Sequence, residues 1–402
     1  MSNGFKASKV TDNVYWVGAV DWNVRDFHGY ATHTGTTYNA FLVTADKVTL
    51  IDTVKKPFKE EMFARIRSVV DPGAIDYVIS NHSEMDHSGS LPETIDRVRP
   101  EKVFASVMGA QALRDHFHMN GEIVAVGDGG RIDLGNTSIT CYETRMLHWP
   151  DSMFSYLAGE KLLFSQDAFG MHLASYERFD DELDESVLEH EAAKYFANIL
   201  TLYSKQILKL LEKVPELGID IDMIAPDHGP IWRSNHGRIL ELYRRWAERR
   251  PTNKAVVVYD TMWGSTDLMA RAIGDGLAEA GTHVRIMKLR AVHRSDIATE
   301  LLDAGALVAG SPTLNNTVFP TLADALVYCK GLRFTGLVGA AFGSYGWSGG
   351  AVKQLEELLR GMNVEIVSEG LQVKYVPDGE ALERCRELGR AIADRLKRLP
   401  NP

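Results

Sequence analysis

The segment from Asn81 to Gly89 concentrates side chains that can bind a metal ion. Within six positions it contains two histidines and two acids, namely His82, Glu84, Asp86 and His87. It follows an apolar run, Ile75–Ser80, that is typical of a buried strand. Buried together without a partner, these groups would be costly, and a multivalent cation removes that cost. The alternative is a solvated loop, but the spacing favours a metal site on the loop that leaves the strand.

Three later segments repeat this pattern of a short apolar strand followed by a histidine or an acid. Thr137–Tyr142 leads to His148, Lys161–Ser165 leads to Asp167, and Met223–Pro226 leads to His228. Strands of one sheet present their loop ends at a common edge, so we expect these residues to converge. The candidate ligands are His82, Glu84, Asp86, His87, His148, Asp167 and His228. This set favours a hard, redox-active ion such as iron without excluding zinc or manganese, and Asp167 could bridge two ions.

The rest of the first half predicts a layered sheet with helices. Predicted early strands are Val14–Val17, Thr37–Val43 and Val48–Ile51, followed by an amphipathic helix over Lys59–Val70. A long helical region over Glu185–Lys213 contains Tyr195, which could reach the site or simply pack in the core. His28 lies on a polar and aromatic loop, where a histidine is more often solvated.

A second pattern begins after a charged helix, His236–Arg250, that Pro251 ends. We therefore predict domains over residues 1–252 and 253–402. Ala255–Tyr259 is apolar without alternation, as in a parallel strand buried on both faces. The turn that follows, Thr261–Thr266, offers hydroxyls and backbone N–H groups ahead of a helix, which suits a phosphate. It has no lysine and no dinucleotide glycine motif, so a nucleoside triphosphate or a dinucleotide is not indicated.

Three strand-end segments of the second half carry glycine, hydroxyl and aromatic residues that could bind a flat, phosphorylated ligand. The candidates in these segments are Thr261, Met262, Trp263, Gly264, Ser265 and Thr266; Ser311, Pro312, Thr313, Leu314, Asn315 and Asn316; and Gly343, Ser344, Tyr345, Gly346 and Trp347. One such loop would be weak evidence, whereas three in this order are a specific signal.

The first half resembles the metallo-β-lactamase fold, with Glu84 where zinc members usually carry a histidine, and the second half resembles flavodoxin. Together they resemble the flavodiiron protein family, the A-type flavoproteins that include rubredoxin:oxygen oxidoreductases. The resemblance covers essentially the whole chain and extends to Gly35–Ala40 and Arg145–Ser152. It implies an α/β protein with an αββα metallo-β-lactamase-like sandwich followed by a flavodoxin-like, doubly wound, five-stranded parallel sheet.

The resemblance also implies cofactors, namely FMN and two iron ions with an oxo or hydroxo bridge. One iron would take His82, Glu84 and His148, the other would take Asp86, His87 and His228, and Asp167 would bridge them. In some members water replaces the histidine equivalent to His87, so that ligand stays open. Thr261–Thr266 matches the phosphate loop of flavodoxins, and Trp263 and Trp347 would flank the flavin ring. His28 and Tyr195 match residues that the family places beside the metal ligands.

The activity that the resemblance implies is reduction of O2 to water, of NO to N2O, or of both. Electrons would enter at FMN from an external donor such as rubredoxin or a reduced deazaflavin. A head-to-tail homodimer, or a dimer of dimers, would bring the FMN of one chain near the iron of the other. The sequence leaves open the substrate preference and the donor. Two alternatives are a zinc hydrolase with an appended electron-transfer domain and a non-catalytic flavin carrier.

Composition bounds these interpretations. The net charge of -10, from 44 basic and 54 acidic residues, argues against general binding to nucleic acid or anionic membranes. The sequence has no signal-peptide core and no run of about eighteen apolar residues, so we expect a cytoplasmic location. The 3 cysteines, Cys141, Cys329 and Cys385, form no Cys-x-x-Cys pair, which excludes a rubredoxin-type iron site within this chain.

Overall fold

The structure, a computed structural model, describes residues 4–119, 121–216 and 218–399. Its internal contacts divide the chain into two compact units. The first contains the residues up to Phe27, Thr32–Tyr195 and Lys205–Arg244. The second contains His28–Ala31, Phe196–Ser204 and the residues from Arg245 onward. The predicted boundary between residues 252 and 253 stays a prediction.

The strands before Asp227 are short and mostly buried. In chain order they are β1 (Ser8–Lys9), β2 (Val14–Trp16), β3 (Ala19–Asp21), β4 (Asp26–Phe27), β5 (Tyr30–Ala31), β6 (Thr36–Tyr38), β7 (Phe41–Val43), β8 (Thr49–Ile51), β9 (Tyr77–Ser80), β10 (Lys102–Ser106), β11 (Val124–Val126), β12 (Arg131–Asp133), β13 (Ser138–Glu143), β14 (Met153–Leu157), β15 (Leu162–Gln166) and β16 (Met223–Pro226). The helices of this part are α1 (Lys59–Arg67), α2 (Met85–Ser88), α3 (Leu91–Val98), α4 (Val107–Phe117), α5 (Glu185–Tyr195), α6 (Ser204–Glu216) and α7 (His236–Ala247).

Two sheets of the first unit pack face to face. One has the strand order β1-β2-β7-β8-β9-β10-β11 and the other has the order β12-β13-β14-β15-β16. Apolar residues of both sheets, including Phe41, Ile79 and Phe164, form the core between them. Outside the first sheet, Met62 of α1 and Leu113 of α4 belong to a second core. The predicted αββα sandwich is therefore confirmed.

Parallel strands bring the predicted metal ligands to one edge of this sandwich. The strands β8, β9 and β10 are parallel in the first sheet, and β15 and β16 are parallel in the second. Loops at the carboxyl ends of parallel strands share an edge. The segments that follow β9, β15 and β16 therefore approach one another across the sandwich.

The second unit is a parallel sheet with helices on both faces. Its strands are β17 (Thr252–Tyr259), β18 (His283–Lys288), β19 (Ala304–Pro312), β20 (Val338–Tyr345), β21 (Glu365–Ile366) and β22 (Leu371–Lys374), and its helices are α8 (Ser265–Glu279), α9 (Arg294–Leu301), α10 (Pro320–Leu332), α11 (Ala351–Gly361) and α12 (Gly379–Leu396). The strand order is β18-β17-β19-β20, and both β21 and β22 pair with β20. The predicted flavodoxin-like sheet is confirmed, with its fifth strand position shared by two short segments among the described residues.

Several predicted elements have different bounds in the structure. The strand predicted over Thr37–Val43 is two strands in different sheets, because Asn39 and Ala40 lie between β6 and β7. The side-chain amide of Asn39 donates to the carbonyls of Pro226 and Gly229, at 2.7 Å and 2.9 Å, and this contact replaces strand pairing there.

Other corrections concern where the predicted loops begin. The metal-binding segment is not all loop, since Met85–Ser88 forms α2. Ser311 and Pro312 belong to β19, and Gly343–Tyr345 belong to β20, because parallel pairing continues into these residues.

The region over Glu185–Lys213 is helical, as predicted, and consists of more than one helix. A π-helical turn, Phe196–Leu200, interrupts it, and the Thr201 hydroxyl donates to the Phe196 carbonyl there.

No helix among the described residues is long and apolar enough to cross a bilayer.

Candidate metal and flavin sites

The residue just before the first histidine fixes the metal-binding segment to both sheets. Asp52, after β8, accepts hydrogen bonds from the backbone and side-chain N–H groups of Asn81, both at 2.7 Å. The Asn81 carbonyl accepts from the Met153 N–H at 3.0 Å, and its side-chain oxygen accepts from the Ser155 hydroxyl at 2.6 Å. Asn81 is buried, so these bonds replace water and set where the chain leaves β9.

The turn of α2 then directs Asp86 and His87 inward and leaves Met85 59% exposed. The Ser88 hydroxyl donates to the carbonyls of Ser83 and Glu84, at 2.7 Å and 2.9 Å. The Thr53 hydroxyl donates to the His87 carbonyl at 2.5 Å. These bonds hold the turn from both ends, so the two adjacent ligand candidates share one orientation.

The seven predicted ligands come together in two adjoining groups. The first contains His82, Glu84, His148 and Asp167, and the second contains Asp86, His87 and His228. Within each group the candidate ligand atoms lie within 4.8 Å of one another. His148 is half-buried and the others are buried.

Asp167 stands between the two groups. Its Oδ2 lies 2.8 Å from His148 Nε2 and 3.4 Å from His82 Nε2. Its Oδ1 lies 3.2 Å from His87 Nε2 and 3.5 Å from His228 Nε2. One oxygen therefore faces each group, which is the geometry that a bridging carboxylate requires.

Contacts on the far side of the rings fix which nitrogen points inward. His228 Nδ1–H donates to the Thr37 carbonyl at 2.5 Å, and His82 Nδ1 lies 3.2 Å from the Asp151 carboxylate. When each ring is neutral, Nε2 keeps its lone pair toward the site, which is the form that binds a metal. For His148, the Gln166 side chain donates to the carbonyl of Leu147 at 2.6 Å and so holds the preceding peptide.

The carboxylates and imidazoles of the site shift each other's pKa. Burial favours the neutral form of Asp167, but the charge of His87 and hydrogen bonds from His148 and His82 hold the pKa of its carboxyl well below the ordinary value. Burial also favours neutral His82, yet Asp151 and Asp167 raise its pKa well above the usual range. Protonated imidazoles thus balance buried carboxylates, and a bound cation does the same when it displaces those protons.

Several buried polar atoms of the candidate ligands lack hydrogen-bond partners among the described residues, as expected of atoms that coordinate a metal. Both carboxylate oxygens of Asp86, Oδ1 of Asp167 and both ring nitrogens of His87 are buried with no hydrogen-bond partner among the described residues. Buried polar groups without partners are rare and costly. Oxygen and imidazole donors at the centre of the site are what a hard transition-metal ion coordinates.

Several residues near this centre were not singled out from the sequence. Asp52, Asp151 and Asp227 are buried carboxylates that contact the ligand-bearing segments. The Thr36 hydroxyl lies 2.8 Å from Nδ1 of His172, whose ring centre is 4.7 Å from that of His228. Asp151 and Asp227 lie in the motifs that carry His148 and His228, which is the one sequence signal for them.

The two predicted catalytic residues differ in their surroundings. Tyr195 is buried, and its ring centre lies 5.1 Å from that of His172 and 6.1 Å from that of His228. Burial and the Asp167 carboxylate raise its pKa well above the ordinary value, so its hydroxyl keeps its proton. His28 is exposed and belongs to the second unit, and its role stays a prediction.

A cavity of about 680 Å³ lies in the second unit, lined by segments that follow β17, β19 and β20. Its lining residues are Met262, Trp263, Ser265, Pro312, Thr313, Leu314, Asn315, Asn316, Ser344, Tyr345, Gly346, Trp347, Ser348, Tyr375 and Val376. Most are predicted ones, and Ser348, Tyr375 and Val376 were missed because they lie beyond the predicted segments. The remaining predicted residues, Thr261, Gly264, Thr266, Ser311 and Gly343, are not among the lining residues.

Those remaining residues shape the pocket from behind. The Thr261 hydroxyl accepts from the Gly264 N–H at 3.1 Å, and the hydroxyls of Thr266 and Ser344 lie 3.0 Å apart. Gly264 has φ 92°, a left-handed conformation that other residues seldom adopt, and α8 starts directly after it. Among the residues that the structure describes, no side chain caps this helix start, which leaves its first N–H groups for an anion such as a phosphate.

The aromatic rim also fits a flat ring. Trp263 and Trp347 are 93% and 90% exposed although they line the cavity. The lining includes no aspartate, glutamate, lysine or arginine among the described residues. An apolar ring system with a phosphate tail, as in FMN, suits this distribution.

Family models match both units. Residues 36–229 match the ODP family β-lactamase model, and residues 257–389 match the flavodoxin model. A curated relative, nitric oxide reductase of Moorella thermoacetica, is 47% identical, over 96% of this chain and 98% of its own length. Rubredoxin-oxygen oxidoreductase of Megalodesulfovibrio gigas is 44% identical, over 98% of both chains.

Solved structures agree. The rubredoxin oxygen:oxidoreductase structure from Desulfovibrio gigas superposes with a TM-score of 0.96 at 44% identity, covering 98% of this chain and 99% of that one. The flavodiiron protein of Giardia intestinalis gives a TM-score of 0.94 at 35% identity, covering 98% and 97%.

Fold and site together define a two-unit α/β protein that carries a binuclear metal centre and a flavin pocket on one chain. The chain belongs to the flavodiiron protein family. It is an oxidoreductase whose cofactors are FMN and a pair of iron ions.

Proposed function

We propose that this chain reduces O2 to water with four electrons and four protons, and two NO to N2O and water with two of each. The observation that carries the proposal is Asp167, which faces one ligand group with each carboxylate oxygen. A carboxylate shared in this way would hold two metal ions, and the pair would supply redox chemistry to a diatomic substrate. The names of the relatives, a nitric oxide reductase and a rubredoxin-oxygen oxidoreductase, support both substrates.

We propose the ligands as follows. One iron is held by His82, Glu84 and His148, the other by Asp86, His87 and His228, with Asp167 between them. The grouping of donor atoms supports this division. The inward position of His87 Nε2, 3.4 Å from Asp86 Oδ1, supports His87 as a ligand rather than a bystander.

When bound, FMN and the iron pair would supply the redox chemistry between an external electron donor and the substrate. The chain supplies the setting. Asn81 and Gln166 fix the ligand segments, so little rearrangement is needed when metal binds. The Glu84 carboxylate carries a negative charge. It would therefore stabilise the oxidised metal more than a neutral imidazole at the same position would. Tyr195 can donate a hydrogen bond beside His228, and we assign His28 a similar role from the family resemblance.

We further propose that two chains associate head to tail, alone or as a dimer of dimers, and that rubredoxin, a reduced deazaflavin or a similar external donor supplies electrons. Each unit has exposed apolar residues beside its own site. In the first unit these include Met85 and Met146, and in the second they include Trp263, Trp347 and Tyr375. Such surfaces are typical of association sites. Sedimentation of the holoprotein should give a multiple of two chains, and a monomer at micromolar concentration would contradict the association.

The experiment that tests the function starts with protein purified without oxygen. We expect about two irons and one FMN per chain, and rapid reoxidation of the reduced flavin by O2 or NO in stopped flow. In His148→Asn and Asp167→Ala this reoxidation should fall at least about a hundredfold, because each change removes a ligand of the iron centre. His283→Asn, an exposed histidine on β18, is the matched control.

The outcomes separate the alternatives. Zinc in place of iron, with turnover that needs no reductant, would point to a hydrolase. Reoxidation that is indifferent to both ligand substitutions would point to a flavin carrier. The ratio of the O2 and NO rates then measures substrate preference.

A further inference from the structure

Two buried polar groups behind the metal ligands face each other without a hydrogen bond. His87 Nδ1 lies 3.4 Å from Asp227 Oδ2. Among the described residues, neither this nitrogen nor either carboxylate oxygen of Asp227 has a hydrogen-bond partner. Both side chains are buried, with His87 1% and Asp227 0% exposed. Groups of this kind in a native fold call for an explanation.

The main chain fixes both residues, so only side-chain rotation remains. The Asp227 N–H donates to the Gln166 carbonyl at 2.8 Å, and its carbonyl accepts from the Asn39 N–H at 2.7 Å. The His87 N–H donates to the Glu84 carbonyl at 3.0 Å, and its carbonyl accepts from Thr53. A small rotation of the imidazole is enough to turn the 3.4 Å contact into a hydrogen bond.

The first ligand group contains a formed version of the same contact. His82 Nδ1 lies 3.2 Å from Asp151 Oδ2, and that oxygen also accepts from the Ser83 N–H at 2.6 Å. Asp151 is therefore held by a second partner, whereas the Asp227 carboxylate accepts no hydrogen bond from another of the described residues. The nearby Asp52 carboxylate is already occupied by Asn81.

We infer that Asp227 is the positioning residue that keeps His87 in the orientation that binds metal. Its Oδ2 accepts the Nδ1–H, which leaves the Nε2 lone pair directed toward Asp86 and Asp167. This inference rests on the proposed function, because it assigns Nε2 to a metal ion. Asp227 thereby governs the second metal position, and Asp151 serves the first.

The pair of substitutions Asp227→Asn and Asp227→Leu tests the role of the acceptor oxygen. Asparagine keeps an oxygen at the same place and loses the charge. Leucine has nearly the same shape and removes both the oxygen and the charge, and it leaves His87 Nδ1 buried without an acceptor, which costs stability. If leucine prevents folding, Asp227→Ala removes the acceptor without adding an apolar side chain and carries the same expectation.

The probe is cobalt(II) added to metal-free protein, read by two measurements that do not depend on activity. The first is the binding isotherm for two equivalents of cobalt. The second is the proton NMR spectrum, in which a ligating imidazole gives a shifted N–H signal that disappears in heavy water. The His87 signal is assigned by its absence in His87→Gln. Val14→Ala, a fully buried core change, controls for general loss of stability.

We expect the His87 signal in the unsubstituted protein, in Asp227→Asn and in Val14→Ala, and its loss in Asp227→Leu. The second cobalt equivalent should bind about 10- to 100-fold more weakly in Asp227→Leu, with the first little changed. Retention of the signal and of both affinities in Asp227→Leu would overturn the inference alone, as would equal weakening in Asp227→Asn. If the unsubstituted protein binds no cobalt, the proposed metal site fails, and this inference fails with it.

Discussion

Replacement of Gly343 by alanine should weaken FMN binding although residue 343 does not line the flavin pocket. Gly343 lies on β20 directly opposite Ser311 of β19. A methyl group at Gly343 would sit 2.1 Å from the Ser311 carbonyl oxygen and 3.0 Å from Val352 Cγ2. The oxygen belongs to the backbone, so no side-chain rotation can relieve the contact.

The size of the effect follows from this geometry. Contacts of Cβ below 3.0 Å are essentially never observed, so the gap from 2.1 Å requires the strands to separate locally by about 0.9 Å. Their next residues, Pro312 and Ser344, both line the pocket. Overpacking of this kind costs ~1–3 kcal/mol. If this strain displaces the strand ends that line the pocket, FMN affinity falls by about fivefold to about 140-fold.

The assay is titration of flavin-free protein with FMN, followed by quenching of flavin fluorescence, together with urea unfolding of the flavin-free form. Gly331→Ala is the matched control, because Gly331 is in α10 with nothing within 4 Å of the added methyl group. That control should keep FMN affinity and gain ~0.5–1 kcal/mol of unfolding free energy. An FMN dissociation constant within twofold of the original in Gly343→Ala would refute the reasoning.

Two other changes test the second unit. Trp347→Ala should weaken FMN binding by ~0.5–1.5 kcal/mol, yet leave the unfolding free energy of the flavin-free protein unchanged, because the ring is 90% exposed there; equal FMN affinity in a fluorescence titration would contradict a stacking role. Glu300→Gln should lower the unfolding free energy by ~0.2–1 kcal/mol at neutral pH. Burial by itself would raise the pKa of Glu300, but Lys254 at 2.8 Å and Arg285 at 2.9 Å hold it below the ordinary value. A lowered carboxyl pKa stabilises the fold above the unfolded-state value and loses that contribution as the pH falls through the folded-state pKa. The difference between Gln and Glu should therefore begin to shrink in urea unfolding below about pH 4.3, the ordinary glutamate value, and it should vanish below the folded-state pKa. A difference that stays constant as the pH falls through this range would contradict the ion-pair explanation.

The convergence of the candidate ligands could be predicted from the sequence because their segments follow recognisable strands. His82, Asp167 and His228 all lie within two residues of the end of a buried parallel strand. Edge convergence of parallel strands is a general rule, so the ligands could be brought together without coordinates. His148 follows the antiparallel strand β13, and its inclusion rested on the repeated pattern and on the family resemblance.

The surroundings of the ligands could not be predicted in the same way. The contact between His87 and Asp227 joins residues that are distant in sequence and follow strands of different sheets, and local pattern carries no information on such pairs. The contacts of Thr36 and His172 with His228 could not be predicted for the same reason. In the flavin pocket, Tyr375 and Val376 come from the turn after β22. This strand is short and therefore gives a weak sequence signal.

The residues just before the ligands show how the sandwich places a metal centre. Asn81 precedes His82, Gln166 precedes Asp167, and Asp227 precedes His228. In extended chain, successive side chains point to opposite sides, so a ligand that faces the site puts its predecessor back between the sheets. A polar side chain buried there needs hydrogen-bond partners. The hydrogen bonds that Asn81 and Gln166 make for this reason also fix the backbone of the ligand-bearing segments.

The Asp227 side chain occupies the same position but makes no such bonds with the residues that the structure describes, and it faces the proposed ligand His87 of another segment instead. The fourth segment has an apolar predecessor, Leu147, whose carbonyl is held by Gln166. The predecessors therefore join the four segments in two pairs, since Gln166 holds the segment of His148 and Asp227 faces the segment of His87. Because the ties run between segments, a change at one predecessor should loosen ligands that belong to its neighbour.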